Sequence, residues 1–485
     1  MIRLLIAGLL LVFTLPVRAQ EIVAALNLDK REPTPLWFEY VRADQGLVTI
    51  SYLTRQSSRE VGLFKYNAQL KREWNVLLFE QNGRMTIEQL AILGERILIF
   101  VAERFPREKN TKLFFYEYNL EGQLITKGQE FYQSAGRPSN EAVLTYIASI
   151  NQRKLLCFDN LLKKSRPEEA QFFVFDADDA GIDGNLIKFP YPDNRLQLRD
   201  VKVGNNGNLF VLARLEQPGT ERSPDGYAYL VFQYDLATEQ LDEIELPFQS
   251  VFVTDLNLKP DRDNNVLVGG FYSRKASGQV AGVLYAFIDW SSQQVVRHHI
   301  QDFDAAFLAK YLSTRQIEKG RELADFYLDD LVLRSDGGVL ILAEQYYITS
   351  STYRDVYGFW YTNDLFNYED VAIVSLSPLG QIEWTAIIDK AQASDAPVEL
   401  SYLPLVGESS LLIFYKARLQ GFGHNVYFQR VDYDGTVSTP RAFFPKFGSR
   451  DVFYRRFSEQ TGNREAIFVY YQAKGRIFTL AKVAF

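Results

Sequence analysis

Cysteine, histidine and methionine are scarce in this chain, which has 485 residues but only 1 Cys, 3 His and 2 Met. A single cysteine excludes an internal disulfide and any zinc site built from several cysteines. Cys157 lies in the apolar run 155–158 and is predicted to be a buried thiol. Acidic residues outnumber basic ones, 60 to 53, so the chain lacks the strongly basic character that nucleic-acid binding requires. We therefore expect no nucleic-acid partner.

Sequence motifs for cofactors and catalytic centres are also missing. There is no His-Glu-x-x-His zinc motif, no Gly-x-Ser-x-Gly nucleophile turn and no phosphate-binding glycine-rich loop. Two Asp-rich stretches, 176–184 and 261–265, invite comparison with calcium loops. The first has Ile187 where an EF-hand loop has its twelfth-position glutamate. Both stretches are predicted to be hairpin turns, and we expect no cofactor and no bound metal.

The first 19 residues have the pattern of a secretory signal peptide. Arg3 precedes the apolar run 4–15, and Val17-Arg18-Ala19 forms a small-residue cleavage site. We expect cleavage before Gln20, a secreted or periplasmic location that leaves cell-surface association open, and no transmembrane segment in the mature chain. An uncleaved N-terminal anchor is the alternative. Residues 20–485 are then predicted to form a single domain.

Aromatic residues are abundant, at 14% of the chain, and they favour β-strands. A unit of four strands recurs along the sequence, and its second strand is an apolar run that ends in a polar residue. These runs do not alternate between apolar and polar residues, which indicates strands that are covered on both faces. The eight copies are Val48–Tyr52, Ile97–Glu103, Lys154–Asp159, Leu209–Arg214, Val266–Tyr272, Val339–Glu344, Leu411–Lys416 and Ala466–Gln472.

Repeated four-stranded units predict an all-β fold, a β-propeller. Turns rich in Asp, Asn and Gly join the third strand to the fourth, as tight hairpins require. We expect eight blades, with seven as the alternative. The last unit, from Asp451, has only three strands, so the segment 21–28 is predicted to complete its sheet. A helical insertion is predicted near 304–323, where apolar residues recur at helical spacing.

Residues 329–347 and 369–392 carry a more specific pattern. They read DDLVLRSDGGVLILAEQYY and EDVAIVSLSPLGQIEWTAIIDKAQ. The Asp-Gly-Gly turn, the strand ending in Ala-Glu-Gln-Tyr-Tyr and the Gly-x-Ile-x-Trp ending resemble uncharacterised secreted β-propeller proteins of Bacteroidota, with WD40- or kelch-like repeats. The resemblance implies the propeller architecture and implies no activity, because none is assigned to that family.

Aligning the first strands of the units places three carboxylates, Asp200, Asp255 and Asp330, at one position. First strands line the central channel of a propeller, so the alignment predicts a polar ring with an acidic arc. The alternative is that each carboxylate binds backbone groups of the neighbouring blade. Elsewhere the same position holds Tyr40, Gln89, Tyr146 and Tyr402.

The polar residues that end the second strands form another predicted ring, on the face that carries the second-to-third strand connections. Its members are Tyr52, Glu103, Asp159, Arg214, Tyr272, Glu344, Lys416 and Gln472. Glu103, Arg214, Glu344 and Lys416 are candidate binding residues of this rim. The alternative is a structural ring of ion pairs between adjacent blades, such as Asp159 with Arg214.

The connection 345–370 in unit six is long and aromatic, with nine aromatic residues among 26. A loop of this length is usually functional or disordered, and its aromatic content argues against disorder. Tyr and Trp combine a large apolar face with a polar group, which suits binding surfaces. An alternative is a lid folded over the channel mouth. The candidate binding residues are Tyr346, Tyr347, Tyr353, Tyr357, Phe359, Trp360 and Tyr361.

Together these patterns favour an exported propeller that acts as a binding or scaffold module for a protein or glycan of the cell envelope. The second hypothesis is a polysaccharide-acting enzyme that uses two of the channel carboxylates as acid and base. The third is an outer-membrane β-barrel, which the unbroken apolar runs disfavour because barrel strands alternate. Partner identity, catalysis and oligomeric state are left open by the sequence.

Overall fold

A computed structural model of the chain describes most of the residues after position 20. The predicted signal peptide, 1–19, therefore lies outside the described residues. The described ranges are 21–28, 35–41, 46–54, 57–80, 83–135, 143–161, 167–179, 181–192, 194–217, 223–354, 356–419 and 423–485.

The described residues form eight antiparallel sheets: seven contain four strands that follow one another along the chain, and the eighth combines the C-terminal strands with the N-terminal strand Glu21–Leu28. We number the sheets blade 1 to blade 8 along the chain. The strands of blades 1 to 4 are Trp37–Val41, Gly46–Thr54, Ser57–Tyr66 and Arg72–Glu80; Met85–Leu93, Arg96–Phe105, Asn110–Asn119 and Leu124–Ala135; Thr145–Ala148, Lys154–Leu161, Pro167–Asp176 and Ile182–Pro192; and Leu196–Val203, Leu209–Glu216, Tyr227–Asp235 and Gln240–Glu245.

Blades 5 to 8 repeat the arrangement with two variations. Blade 6 has an additional short strand, Gln392–Ser394, and the first strand of blade 8 is split in two. The strands are Phe252–Pro260, Val266–Ser273, Gly282–Asp289 and Gln294–Asp302; Phe326–Leu333, Val339–Arg354, Trp360–Leu376 and Ile382–Ile388; Tyr402–Val406, Ser410–Leu419, Gly423–Asp432 and Arg441–Ala442; and Val452–Phe453, Glu459–Gly462, Glu465–Gln472 and Ile477–Ala484.

All eight apolar runs identified in the sequence lie in second strands, which confirms the repeat and its register. These strands are buried on both faces because each blade packs between two others. Every residue of Val266–Ser273 is buried, for example. An unbroken apolar run is what a strand in this position requires.

The buried apolar side chains of the described residues form eight clusters, one at each junction between consecutive blades. The last of them joins blade 8 to blade 1, where Ile467, Val469 and Leu480 pack with Tyr40 and Leu47. A cluster at that junction brings the last blade of the chain against the first. The fold is a β-propeller.

The N-terminal strand joins the last blade, as the sequence predicted. Residues Glu21–Leu28 pair antiparallel with Ile477–Ala484, with Leu28 opposite Phe478 and Glu21 opposite Ala484. Blade 8 thereby gains its fourth strand from the opposite end of the chain. This pairing covers the edge of the last strand, which would otherwise expose unpaired backbone groups.

The segment 304–323, between blades 5 and 6, contains two short helices, Ala305–Leu308 and Thr314–Glu318. Asp304 caps the first by accepting a hydrogen bond from the Phe307 amide, and Ser313 starts the second with a capping box. Three 3₁₀ turns complete the helical content of the described ranges: Pro224–Gly226, Pro397–Glu399 and Arg455–Phe457. No helix in those ranges has the length and apolar character needed to span a membrane.

Candidate functional site

The segment predicted as a long loop in blade 6 is a regular β-hairpin, so that prediction was wrong. The second and third strands of this blade continue past the sheet, and their pairing runs from Tyr346 opposite Tyr368 to Arg354 opposite Trp360. We call residues 346–368 the aromatic hairpin. Its Thr and aromatic residues are good strand formers, which explains why the chain extends the sheet here.

The base of the aromatic hairpin is anchored to the propeller. Strand Gln392–Ser394 pairs with residues 366–368 and so supports the third strand. The ring of Tyr346 lies 4.7 Å from that of Tyr368 and 6.0 Å from that of Tyr327, measured between centroids. Asn367 lies at the same level and donates hydrogen bonds to the Thr349 hydroxyl and the Tyr347 carbonyl. The hairpin is therefore held in a defined position at its root.

Beyond that root, the hairpin exposes its aromatic side chains. Tyr353, Tyr357, Phe359, Trp360 and Tyr361 are between 47% and 84% exposed. Tyr353 and Tyr361 stack on one face with centroids 5.7 Å apart, and on the other face the Arg354 guanidinium lies 5.9 Å from the Trp360 ring. Exposure of this extent does not fit the alternative of a lid packed against the propeller.

Of the eight residues that end the second strands, Asp159, Tyr272 and Glu344 are buried and the other five are partly exposed. Glu344 is buried, with Lys390 Nζ 2.5 Å from its Oε1 and the Ser401 hydroxyl donating to its Oε2. Lys416 pairs with Glu399 at 2.8 Å. These contacts employ two of the predicted binding residues, Glu344 and Lys416, in holding blades 6 and 7 together.

The suggested ion pair between Asp159 and Arg214 does not form among the described side chains. Asp159 is buried and accepts a hydrogen bond from the Tyr132 hydroxyl, at 2.6 Å. The Arg214 guanidinium instead lies over the ring of Tyr227, 4.5 Å from its centroid. Glu103 is half-buried opposite Lys112 on the next strand.

The three aligned aspartates link neighbouring blades. Asp200 accepts a hydrogen bond from the Leu258 amide of blade 5, and Asp255 accepts one from the Leu328 amide of blade 6. Asp330 instead accepts from Lys259 Nζ, at 3.0 Å. Burial raises the pKa of Asp255, while the bond from Leu328 acts in the opposite direction. Asp200 and Asp255 thus bind backbone groups of the neighbouring blade, as in the alternative interpretation, whereas Asp330 contacts a side chain of that blade.

A β-bulge precedes the aligned position in four blades, before Gln89, Asp200, Asp255 and Asp330. The residue that the bulge inserts into blade 6 is Asp329, which the sequence alignment had passed over. Burial raises the pKa of Asp329 to about 6, and the nearby Glu344 carboxylate adds to the effect. The nearby Tyr402 hydroxyl and the charges of Arg455 and Lys390 act in the opposite direction.

We expect Asp329→Asn to stabilise the protein above about pH 6 and to leave its stability unchanged near pH 4. The folded-state pKa of about 6 lies above the ordinary value of about 3.9, so protonation of Asp329 favours the folded state. That contribution is fully present below the ordinary value and is lost as the pH rises through about 6. Urea unfolding of both proteins between pH 4 and 8 measures this. A difference that did not depend on pH would contradict it.

Comparisons with known proteins assign neither a family nor an activity to this chain. No protein-family model and no curated protein matches the chain. Among solved structures, the chain is similar to the β-propeller domain of the Trilobed protease from Pyrococcus furiosus, with 11% identity, a TM-score of 0.36, and coverage of 82% of this chain and 93% of that one.

Two further solved structures are similar to a comparable degree. The β-propeller domain of Cps50 (Swd1) from Myceliophteria thermophila matches at 8% identity and a TM-score of 0.36, over 96% of this chain and 99% of that one. An oligogalacturonate lyase in complex with manganese matches at 10% identity and a TM-score of 0.39, over 94% and 98%. At these identities no function passes from those proteins to this chain.

Proposed function

We propose that this protein is an exported propeller that binds a partner protein of the cell envelope through the aromatic hairpin. The observation that carries the proposal is the exposure of five aromatic side chains at the end of a hairpin with an anchored base. Exposed apolar patches of this kind mark interaction surfaces. The signal-peptide pattern and the resemblance to secreted propellers support export.

A protein partner suits this surface better than a glycan. Small-molecule and sugar sites are concave, whereas the aromatic hairpin projects from the sheet and exposes both faces. Along residues 360–365, the strand has its hairpin partner on one side and no described strand on the other. A free edge can pair with an extended segment of another protein, and the aromatic side chains would then contact alternate residues of that segment.

The aromatic hairpin is tested by capture from a native cell-envelope extract with three immobilised proteins. One is the unaltered protein, and one carries serine at Tyr353, Tyr357, Trp360 and Tyr361. The matched control carries serine at Leu379 and Tyr433, exposed apolar residues in other turns. We expect the hairpin variant to lose at least about tenfold in affinity for the captured partner, because buried interface aromatics contribute most of the binding energy.

Capture by the unaltered protein and the control, but not by the hairpin variant, supports the proposal once circular dichroism shows that all three fold. Equal capture by the three proteins, or none, would overturn it. The extract is also treated with protease or with periodate before capture. Loss after periodate alone would identify a glycan and overturn the choice of a protein partner.

A further inference from the structure

A cavity of about 220 Å³ is lined by residues of blades 1, 3 and 8, and no residue of the aromatic hairpin lines it. Glu39 and Tyr40 reach it from the first strand of blade 1, and residues 459–462 from the first strand of blade 8. Gln152 adds to the lining from the turn between the first two strands of blade 3. First strands surround the central channel, so this cavity belongs to one end of that channel.

Glu39 and Glu459 form an unneutralised pair in this lining. Burial raises the pKa of Glu39 well above its usual range, and the charge of Glu459 raises it further. Desolvation also raises the pKa of Glu459, although this residue is exposed and Glu39 is only partly buried. Among the described residues, no cation pairs with either carboxylate and no group donates a hydrogen bond to it.

Buried glutamates elsewhere in the propeller have partners: three pair with a cation, and Glu322 accepts hydrogen bonds from the Ser273 hydroxyl and the Arg274 amide. Glu88 pairs with Arg104 at 3.0 Å, Glu117 with Arg96 at 2.7 Å, and Glu344 with Lys390 at 2.5 Å. Withdrawing a carboxylate from water without giving it a partner is costly, and the partly buried Glu39 is such a carboxylate. Glu39 and Glu459 have neither kind of partner among the described residues.

Two other polar groups of the cavity also leave the carboxylates without a hydrogen-bond donor. The Thr461 hydroxyl is buried and has no hydrogen-bond partner among the described residues. The Gln460 amide is engaged with the backbone of Val406 and so is not available to either carboxylate. The cavity therefore offers a surplus of oxygen acceptors, and a ligand that fits it supplies N–H donors and positive charge.

We propose that this cavity binds a small organic cation with an ammonium or guanidinium group held between Glu39 and Glu459. Nitrogen donors of such a group form charge-assisted hydrogen bonds with carboxylates, and a guanidinium does so in a bidentate manner. The volume of about 220 Å³ accommodates a molecule of several non-hydrogen atoms. It exceeds what one metal ion needs, and no described cluster has three or more acidic, His or Cys side chains suited to a metal.

The probes are agmatine and putrescine, with 1,4-butanediol as a neutral analogue of putrescine and calcium chloride as the metal alternative. Isothermal titration calorimetry of the full protein is expected to show one site per chain, with a dissociation constant for agmatine below about 1 mM. Glu459→Gln and Glu39→Gln should each weaken binding at least about tenfold, since each removes a charged acceptor. The control is Glu121→Gln, an exposed glutamate in a turn of blade 2.

A second readout separates ligand binding from a structural role. A bound cation favours the charged carboxylates and lowers their pKa values, so binding releases protons at any pH at which the free carboxylates are still partly protonated. Titrations in two buffers with different ionisation enthalpies measure that release, which the double glutamine variant should abolish. The proposal is overturned if no amine binds, if butanediol binds equally well, if the glutamine variants bind like the control, or if calcium binds and the amines do not.

Discussion

Removing the strand Glu21–Leu28 is expected to lower the free energy of unfolding by roughly 3–6 kcal/mol, because several backbone hydrogen bonds and the burial of one leucine are lost. Leu28 is buried at the junction between the ends of the chain, and Leu26 packs against the cluster that joins blades 8 and 1. The deletion also exposes the edge of Ile477–Ala484, so self-association should increase. Urea unfolding and light scattering compare chains that start at residues 20 and 29.

Hydrogen exchange localises the effect of this deletion. The amides of residues 477–484 should lose protection first, because their partner strand is gone. The matched control is Val23→Thr, which changes an exposed residue of the same strand and should alter stability by no more than about 0.5 kcal/mol. Unchanged stability and protection in the shortened chain would show that the N-terminal strand does not contribute to closing the propeller.

Lys390→Met is expected to destabilise the protein by about 3–5 kcal/mol, because it leaves the charge of Glu344 buried without a cation. The Lys390 side chain is fully buried, and its ammonium also donates to the Tyr368 carbonyl and to Gln392 Oε1. Burial lowers the pKa of Lys390, and the Glu344 charge acts against that effect. Urea unfolding at pH 7 measures the loss.

A second substitution separates the charge from the packing. Adding Glu344→Gln to Lys390→Met removes the unpaired charge, so most of the lost stability should return. The control is Lys112→Met, which breaks an exposed ion pair with Glu130 and should destabilise the protein far less. Equal losses from Lys390→Met and Lys112→Met would mean that the buried pair matters no more than a surface pair.

The architecture was largely predictable from local pattern. Apolar runs without alternation identified the second strand of every blade, because a strand between two packed neighbours needs apolar residues on both faces. The truncated last unit and the β-compatible segment 21–28 predicted the pairing of the two chain ends. The sequence identified the aromatic segment of blade 6 as a candidate binding surface. It did not predict the hairpin, because aromatic and Thr-rich segments occur in both loops and strands.

The polar sites were much less predictable. The alignment of the repeats did not single out Asp329. A bulge inserts this residue into the strand and shifts the side chains that follow to the other side, and a repeat pattern does not show such an insertion. The sequence predicted Glu344 to be a rim residue because it ends an apolar strand, but in the structure it is buried against Lys390 and Ser401. The latter two residues lie outside the aligned strands, so no signal connected them with Glu344.

The sequence by itself determined the repeat, the number of apolar strands and the pairing of the N-terminal strand with the C-terminal strand. Each of these depends on the hydrophobic pattern and the backbone pairing of short segments. Only the tertiary structure decided which polar groups are neutralised. Glu39 and Glu459 are far apart in the chain, and their positions at one cavity follow from the arrangement of the blades. Charge pairing depends on distances between blades, and those distances exist only once the ring of blades has assembled.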